Sequence, residues 1–367
     1  MSRTIAVAMS GGVDSTVAAL LLRKRGHDLV GVYMHNWDDL DETGTCSSQT
    51  DYQCVQELCG EMGIPCHRAD FVKEYWNHVF SSLLEGVRRG LTPNPDVLCN
   101  QHVKFQSLHQ WTRDTLGVST IATGHYARVD CNSVEVRLLR AVDSFKDQTY
   151  FLSHISQESL QNTVFPVGHL TKTRVREIAR EEGMDRVNQQ KESMGLCFVG
   201  KRDFNRFISQ YVESEPGDFV TLSGKVVGRH EGHHLYTIGQ RARLGGHSQP
   251  YCVTSKDPHT NTVTVAEGTS HPALYTPSFI TLHPHWITCK SRDLFNNQSD
   301  GIECVMRHRH QHSLVPCTVN SRRYGLHVTL REPLRAITPG QYAVFYQGDE
   351  CLGGACIAEP GPSLHKN

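Results

Sequence analysis

Apolar runs alternate with amphipathic ones along the first half of the chain. Thr4 to Met9 carries no charge and reads as a strand buried on both faces of a parallel sheet. Val17, Leu20 and Leu21 then set an apolar stripe at helical spacing, with Arg23 to Arg25 in the last turn and Gly26 beyond as a stop signal. Asp28 to Met34 reads as a second strand, about Thr50 to Met62 as a helix ending at Gly63, and Ile64 to Ala69 as a third strand. Phe71 to Arg89 is predicted to be one long helix with Trp76, Val79, Phe80, Leu83, Leu84 and Val87 facing the core. Two prolines break the chain after it, Gln101 to Leu116 is helical again, and Ser119 to Thr123 and Val134 to Leu139 read as strands. Repeated strand-helix alternation predicts an α/β fold with a doubly wound parallel sheet.

Beyond Lys201 the texture changes. Phe219 to Leu222, Lys225 to Gly228, Leu235 to Ile238, Val253 to Ser255 and Thr262 to Ala266 are short β runs separated by Gly, Asp, Pro and Asn. From about His271 alternating runs recur, among them Phe279 to Leu282, Val328 to Leu330 and Ala343 to Tyr346, as in a β-barrel. The expected domains are a catalytic α/β domain at 1–205, a central β-rich domain at 206–270 and a C-terminal β-barrel at 271–360.

Composition narrows the picture. With 367 residues the chain is long enough for two or three cores, and 37 Lys and Arg nearly cancel 38 Asp and Glu. Any nucleic-acid partner must therefore be held by local basic patches. No apolar run approaches the roughly 20 residues of a membrane span, so no membrane partner is expected. The 13 cysteines, without a signal peptide, point to a reducing compartment. No CxxC occurs, which argues against zinc at finger spacing and against an iron-sulfur site of that type.

The chemistry starts at Ser10-Gly11-Gly12-Val13-Asp14-Ser15, between the first strand and the first helix. That order places backbone N–H groups and a helix N-terminus at the carboxyl end of a strand, a setting that favours a phosphate. The glycines allow close approach, and the hydroxyls of Ser10 and Ser15 add donors. Asp14 facing a phosphate implies a bridging cation, hence Mg²⁺, with a plain helix cap as the bland reading. The loop lacks the Gly-Lys-Ser/Thr of a Walker A motif. It resembles the pyrophosphate-binding loop (SGGxDS) of the ATP-pyrophosphatase superfamily, which implies cleavage of ATP to AMP and pyrophosphate.

Other candidates surround it. Met34 ends the second strand, where an adenine would lie, although a methionine there is more often core than cofactor contact. His35 to Ser48 reads as a polar surface loop. Cys99 follows the rigid Gly90 to Asn100 loop, close to the start of a helix, where the dipole favours a thiolate, and Asp96 lies three residues before it. Taken alone, Cys99 is a buried structural thiol. Gly124 and His125 follow a strand end, so His125 could reach the α-phosphate or the second substrate. Lys172, Arg174, Arg176 and Arg180 give the Thr171 to Arg180 helix a basic face that could follow an RNA backbone. Cys197 follows the polar stretch Gln189 to Gly195 and reads either as a thiol on a movable segment or as a core thiol. Arg307 and Gln341 are plausible RNA contacts in the barrel.

The motifs TPNPDVLCN around Cys99, ATGHYAR, KDQTYFL, FPVGHLTK, GLCFVGKRDF, YTIGQR and TPGQYAVFY, with SGGVDS, together resemble the tRNA-specific 2-thiouridylase family over essentially the full length. The SFKDQT, KESMG and HPALY wording is nearer its mitochondrial branch; a bacterial origin would mean the cytoplasm. The resemblance implies a tRNA-uridine 2-sulfurtransferase that adenylates C2 of the wobble uridine of tRNA Lys, Glu and Gln. A persulfide from a cysteine desulfurase would supply the sulfur. It assigns ATP and Mg²⁺ to Ala8, Met9, Ser10 to Ser15, Met34 and Gly124, with Asp14 as metal ligand. Cys99 becomes the nucleophile, Cys197 the persulfide carrier and Asp96 a proton-handling group. Target-base contact falls to Asn94, Pro95 and Asp96, and tRNA contact to His125, Lys146, Asp147, Gln148, Arg307, His308 and Gln341. The chain departs from the bacterial pattern at His35, usually lysine, and at His308, usually aromatic. The alternatives are an amide-forming synthetase or an iron-sulfur-dependent tRNA thiolase of the same superfamily, and an RNA-binding protein with a decayed ATP site. No glutaminase domain and no CxxC argue against the first two, though Asp96, Cys99 and Cys197 could themselves hold a cluster. Intact Gly11, Gly12, Asp14 and both cysteines argue against the third.

Overall fold

The uncharged run that opens the chain is the central strand of a parallel sheet. The computed structural model describes residues 4–37, 47–131, 134–189, 203–246, 248–296 and 301–365. In chain order β1 (Ile5–Ala8), α1 (Val13–Lys24), β2 (Leu29–His35), α2 (Ser47–Glu61) and β3 (Cys66–Asp70) come first. Next is α3 (Val72–Tyr75), continued by Trp76–Phe80 and Ser81–Arg88, then α4 (Pro95–Leu98), continued by Cys99–Ser107 and Leu108–Leu116. Then follow β4 (Thr120–Ala122), β5 (Ala127–Asp130), β6 (Arg137–Arg140), α5 (Thr149–Leu152), α6 (Gln157–Gln161), β7 (Thr163–Val164), α7 (Lys172–Glu181), α8 (Asp185–Gln189) and α9 (Phe204–Ile208).

The sheet order is β3-β2-β1-β4-β7, with every neighbouring pair parallel. The chain leaves β1 for β2 on one side and reaches β4 on the other, so the crevice at the carboxyl ends of β1 and β4 is where ligands of such sheets bind. Two apolar layers cover the sheet. One packs α1, α2, α7 and α8 through Val17, Leu20, Leu58, Val175 and Val187. The other packs α3, α4, α5 and α9 through Val79, Leu83, Val103, Tyr150 and Phe207, and runs without a break into Tyr342, Val344 and Tyr346 of the C-terminal barrel.

Both long helices differ from a plain α-helix. The one expected over Phe71 to Arg89 winds with π geometry from Trp76 to Phe80, and the one expected from Gln101 starts already at Pro95 and is π-wound from Cys99 to Ser107. Asn94 caps its start, its side chain accepting from the Asp96 N–H at 3.2 Å, and Pro95 occupies the first turn, where its missing N–H is harmless.

The expected strand at Val134 to Leu139 is real only as β6 and does not join the catalytic sheet. With β5 it forms a hairpin that pairs antiparallel with the last strand of the barrel, Leu138 opposite Cys351. Charges secure this graft: Arg128 and Arg140 each reach Asp349 at 2.8 Å, and Arg137 pairs with Asp130 and Glu350. A strand's apolar pattern announces burial and does not name the edge it will meet.

The middle region forms a four-stranded sheet of order β10-β11-β8-β9 from β8 (Gly217–Thr221), β9 (Val226–His230), β10 (Tyr251–Asp257) and β11 (Thr262–Glu267). Leu235 to Ile238, expected as a strand, is a turn instead: the Thr237 N–H is accepted by Gln240 Oε1 at 2.9 Å, and Gly239 takes φ +85°. Local hydrogen bonding has taken the donor a ladder would have used. The C-terminal region comprises β12 (Tyr275–Thr281), β13 (His285–Trp286), α10 (Cys289–Asn296), β14 (Ile302–Arg307), β15 (Val315–Arg322), β16 (Gly325–Arg335), β17 (Tyr342–Gln347) and β18 (Glu350–Pro360). Six of its strands close a barrel in the order β12-β16-β15-β14-β17-β18 and back to β12. Among the described residues no helix is long and apolar enough to cross a membrane.

Candidate active site

The glycine loop is closed by its own hydrogen bonds. Gly11 has φ +81°, a conformation that favours glycine, and Gly12 is the N-cap of α1 without a side-chain cap. Ser15 Oγ donates to the Gly12 carbonyl at 3.0 Å and lies 3.2 Å from Ser10 Oγ; the Thr16 hydroxyl also donates to the Gly12 carbonyl. Ala8 and the buried Met9 end β1 beneath the loop, Val13 is buried, and Ser10 is exposed. The first-turn N–H groups of an α-helix have no partner within the helix, which at the start of α1 is what an anion cradle requires.

The repulsion between Asp14 and a phosphate, from which Mg²⁺ is expected, is met first by a side chain. Lys172 Nζ lies 2.9 and 2.8 Å from the two Asp14 carboxylate oxygens, and the Tyr126 hydroxyl donates to one of them at 2.8 Å. Lys172 is buried while its helix neighbour Arg174 pairs with Glu177 and Glu181. The basic face read as an RNA track is therefore divided: Lys172 turns inward to the loop and Arg174 is engaged by its own helix. Asp14 retains a one-third exposed side chain, so the residues present still fit a cation delivered with a nucleotide.

Gly124 ends β4 against the loop. A Cβ there would stand 2.6 Å from the Ser15 backbone nitrogen and 2.7 Å from the Asp14 carbonyl carbon, so only glycine lets β4 and α1 approach this closely. Met34, half-buried at the end of β2, packs on the apolar layer of α3 and α4. The departure at His35 has a local partner, Asp70, 3.1 Å from His35 Nδ1.

Next to Gly124, His125 is held by Thr123 Oγ1 at 2.8 Å, and its ring lies 5.6 Å from Phe105 on the Cys99 helix. Burial, helped by the charge of Lys104, holds its imidazole well below the ordinary range, hence neutral. Cys99 is buried at the start of the π-wound stretch, five residues beyond its cap, and not in the first turn where a helix dipole acts most strongly. Asp96, half-buried one turn earlier, has its carboxyl raised by burial, with Lys104 opposing. Pro95, in the same turn, is buried. Cys197 lies outside the described residues.

The residues expected on tRNA split into two groups. Asp147 and Arg307 form a buried ion pair at 2.8 Å between the α/β domain and the barrel, 1% and 6% exposed. Asp147 also accepts from the Ala141 N–H and the Thr149 hydroxyl. In this arrangement neither presents a surface to RNA; they pin two domains together. His308 is equally buried, its imidazole pushed down to about 3 by desolvation and neighbouring positive groups. Gln341 belongs to the same seam: its amide donates to the Thr92 carbonyl at 2.8 Å, and its oxygen faces Asn94 Nδ2 at 3.4 Å. Gln148 braces Tyr126, accepting from its N–H at 2.9 Å. Lys146, beside the 68% exposed Phe145, retains partial exposure. Lys172, Tyr126 and Thr92 are the residues that motif reading missed as site members; only the FPVGHLTK and ATGHYAR matches pointed near the first two.

A nucleotide-binding α/β domain joined to two β domains is also what comparison with known families returns. The model described as tRNA methyl transferase HUP domain matches residues 3–201, its PRC-barrel companion 205–267, and an aminomethyltransferase β-barrel model 277–357. The chain is 46% identical to the mitochondrial tRNA-specific 2-thiouridylase 1 of Gallus gallus, covering 99% of this chain and 93% of that one. It is 45% identical to the Homo sapiens protein of the same name, covering 99% and 92%. Identity to the tRNA-specific 2-thiouridylase of Staphylococcus aureus is 44%, covering 96% and 94%. The chain belongs to the tRNA-specific 2-thiouridylase family. A solved U34-tRNA thiolase from Methanococcus maripaludis covers 57% of this chain and 65% of its own at 16% identity and a TM-score of 0.35, too distant to add to this.

Proposed function

We propose that the protein is a tRNA-uridine 2-sulfurtransferase that activates C2 of the wobble uridine with ATP and replaces its oxygen with sulfur. The observation that carries the reading is a chain of contacts: Gly124 packs on the glycine loop, and its neighbour His125 packs on the helix of Cys99 and Asp96. An activating site and a thiol thus share one crevice, and relatives of this name align over the whole chain.

A uridine C2 oxygen leaves poorly, so it first takes the α-phosphoryl group of ATP as pyrophosphate departs. Ser10, Gly11, Gly12, Val13 and Ser15 offer N–H and hydroxyl donors to the leaving pyrophosphate, and Ala8, Met9, Met34 and Gly124 shape the nucleotide's bed. Lys172 adds a cation beside them while orienting Asp14. Asp14 would hold Mg²⁺, which when bound neutralises phosphate charge. The outer sulfur of a persulfide carried on Cys197 then attacks C2 and AMP leaves; the Cys99 thiol attacks Cys197 Sγ, which frees the sulfur on the uridine and closes a Cys99–Cys197 disulfide for a reductant to reopen, with Asp96 as the proton-handling group. The described residues on either side of Cys197 in the sequence lie in opposite layers, Val187 with α1 and Phe207 with α3. Asn94, Pro95 and Asp96 line the base pocket, and His125 and Lys146 are tRNA contacts. Asp147, Gln148, Arg307, His308 and Gln341 support that surface from the domain seam. The domain division at 205/206 and 270/271, the tRNA Lys, Glu and Gln substrates, the desulfurase-derived persulfide and a mitochondrial location complete the reading.

The test is thiolation of wobble-uridine tRNA transcripts with ATP and a persulfide source, read by mass spectrometry. A gain of one sulfur for oxygen at position 34 is expected; an unmodified transcript with ATP consumed would point to another superfamily chemistry. Cys197→Ser should abolish thiolation and retain pyrophosphate release.

A further inference from the structure

The helix of Cys99 keeps i→i+5 hydrogen bonding for nine residues, Cys99 to Ser107. Such π winding is rare and recurs at functional sites. It also decides which side chains share a side. Four residues advance about 400° in an α-helix and about 330° at the roughly 4.4 residues per turn of a π-helix. One step of each kind nearly cancels, so Asp96, Asn100 and Lys104, spaced by four across the junction, stay in one row. A continuous α-helix would carry Lys104 about 80° away from Asp96.

Contacts agree with this row. Asn100 Nδ2 reaches back to the Asp96 carbonyl at 2.9 Å, and Asn100 is buried. Phe105, beside Lys104, holds His125 over the same stretch with ring centres 5.6 Å apart. Lys104 itself is half-buried, and its charge bears on both Asp96, where it opposes burial, and His125. Titratable groups on the elements packed around Asp96 include Cys99 and His102 on its own helix, Lys73, Glu74, Tyr75 and His78 on α3, His125 after β4 and Tyr150 on α5. His125 and Tyr150 are both uncharged at neutral pH because burial disfavours their ionised forms.

We propose that Lys104 is a positioning residue of the sulfur-transfer step: its ammonium, brought into the Asp96 row by π winding, keeps Asp96 a carboxylate able to accept the Cys99 thiol proton. The proton passes from Sγ to a carboxylate oxygen, leaving the thiolate. This role rests on the sulfurtransferase reading.

The test measures pyrophosphate release and thiolation separately, against pH, in the full chain and in Lys104→Gln, Lys104→Arg and Asp96→Asn. Lys104→Gln should release pyrophosphate at the wild-type rate, while its thiolation limb moves to higher pH and its rate at neutral pH falls by about tenfold per unit moved. Lys104→Arg, which keeps the charge, should restore the limb, and Asp96→Asn should remove it. A wild-type limb in Lys104→Gln overturns the proposal, as does a displaced limb in a folded Lys104→Arg. Failure of the wild-type protein to thiolate at all overturns the function instead. In that case the pH dependence of Cys99 alkylation by iodoacetamide, read on its peptide, still decides whether Lys104 governs the thiol: slower labelling in Lys104→Gln supports it and equal labelling refutes it.

Discussion

Two regions of one crevice are built in opposite ways. The glycine loop is six consecutive residues whose hydroxyls and carbonyls bond one another. The seam beside the Cys99 helix is held by residues far apart in sequence: Gln341 closes on Thr92 across 249 positions, and Arg307 on Asp147 across 160. The first is a local device that the barrel does not help to shape. The second exists only when the α/β domain and the barrel are docked, so substitutions in the two regions should fail in different ways.

The largest expected effect separates them by chemistry. Asp14→Ala and Lys172→Met should each abolish pyrophosphate release: the first removes the carboxylate that would hold Mg²⁺, and the second leaves that carboxylate facing the phosphates without its cation. Both should still bind tRNA in a filter or gel-shift assay; loss of tRNA binding would break the separation. Gly124→Ala should also suppress activation and destabilise by about 1–3 kcal/mol, since the new methyl meets backbone and not a movable side chain.

Arg307→Ala should act as a docking lesion. It leaves the Asp147 carboxylate buried without its cation, which costs about 3–5 kcal/mol. Calorimetry should show a lowered or split transition, and protease should cut between the domains. An unchanged transition with a raised KM for tRNA would instead make Arg307 a direct RNA contact.

Acid should loosen the fold through buried imidazoles. His109 is pushed down to about 4 and His308 to about 3 by desolvation. Their unfolded forms take protons first, so stability is full above about pH 6.5 and falls as pH drops toward these lower values, by about 1.4 kcal/mol per pH unit for each group. His308→Phe should flatten part of that slope in denaturant titrations. The smallest effect belongs to Gln341→Ala, about 1 kcal/mol for each of the lost interdomain hydrogen bonds to Thr92 and Asn94, visible as a small shift of the denaturation midpoint with pyrophosphate release intact.

How much could be read in advance follows the same division. The strand-loop-helix around Ser10 to Ser15, the parallel sheet and the barrel were legible because short-range periodicity and glycine spacing encode them. Three particulars were not. The β5–β6 hairpin joins the barrel because Arg128 and Arg140 find Asp349, more than 200 positions away. The π winding after Cys99 leaves no signature in the hydrophobic pattern, yet it moves Lys104 into the Asp96 row. Asp147 sits in the KDQTYFL motif and Arg307 and His308 are reached by the family resemblance, but the burial of all three depends on a seam between domains.

The sequence by itself determined most of the local elements, the family and the strand-loop-helix at Ser10 to Ser15, since each depends on patterns short in sequence. Tertiary structure alone decided that Asp14 is met by Lys172 and that Asp147 is covered by Arg307. In both cases a charge finds its partner only when distant segments are folded together, and a linear pattern carries no record of which opposite charge will be nearest.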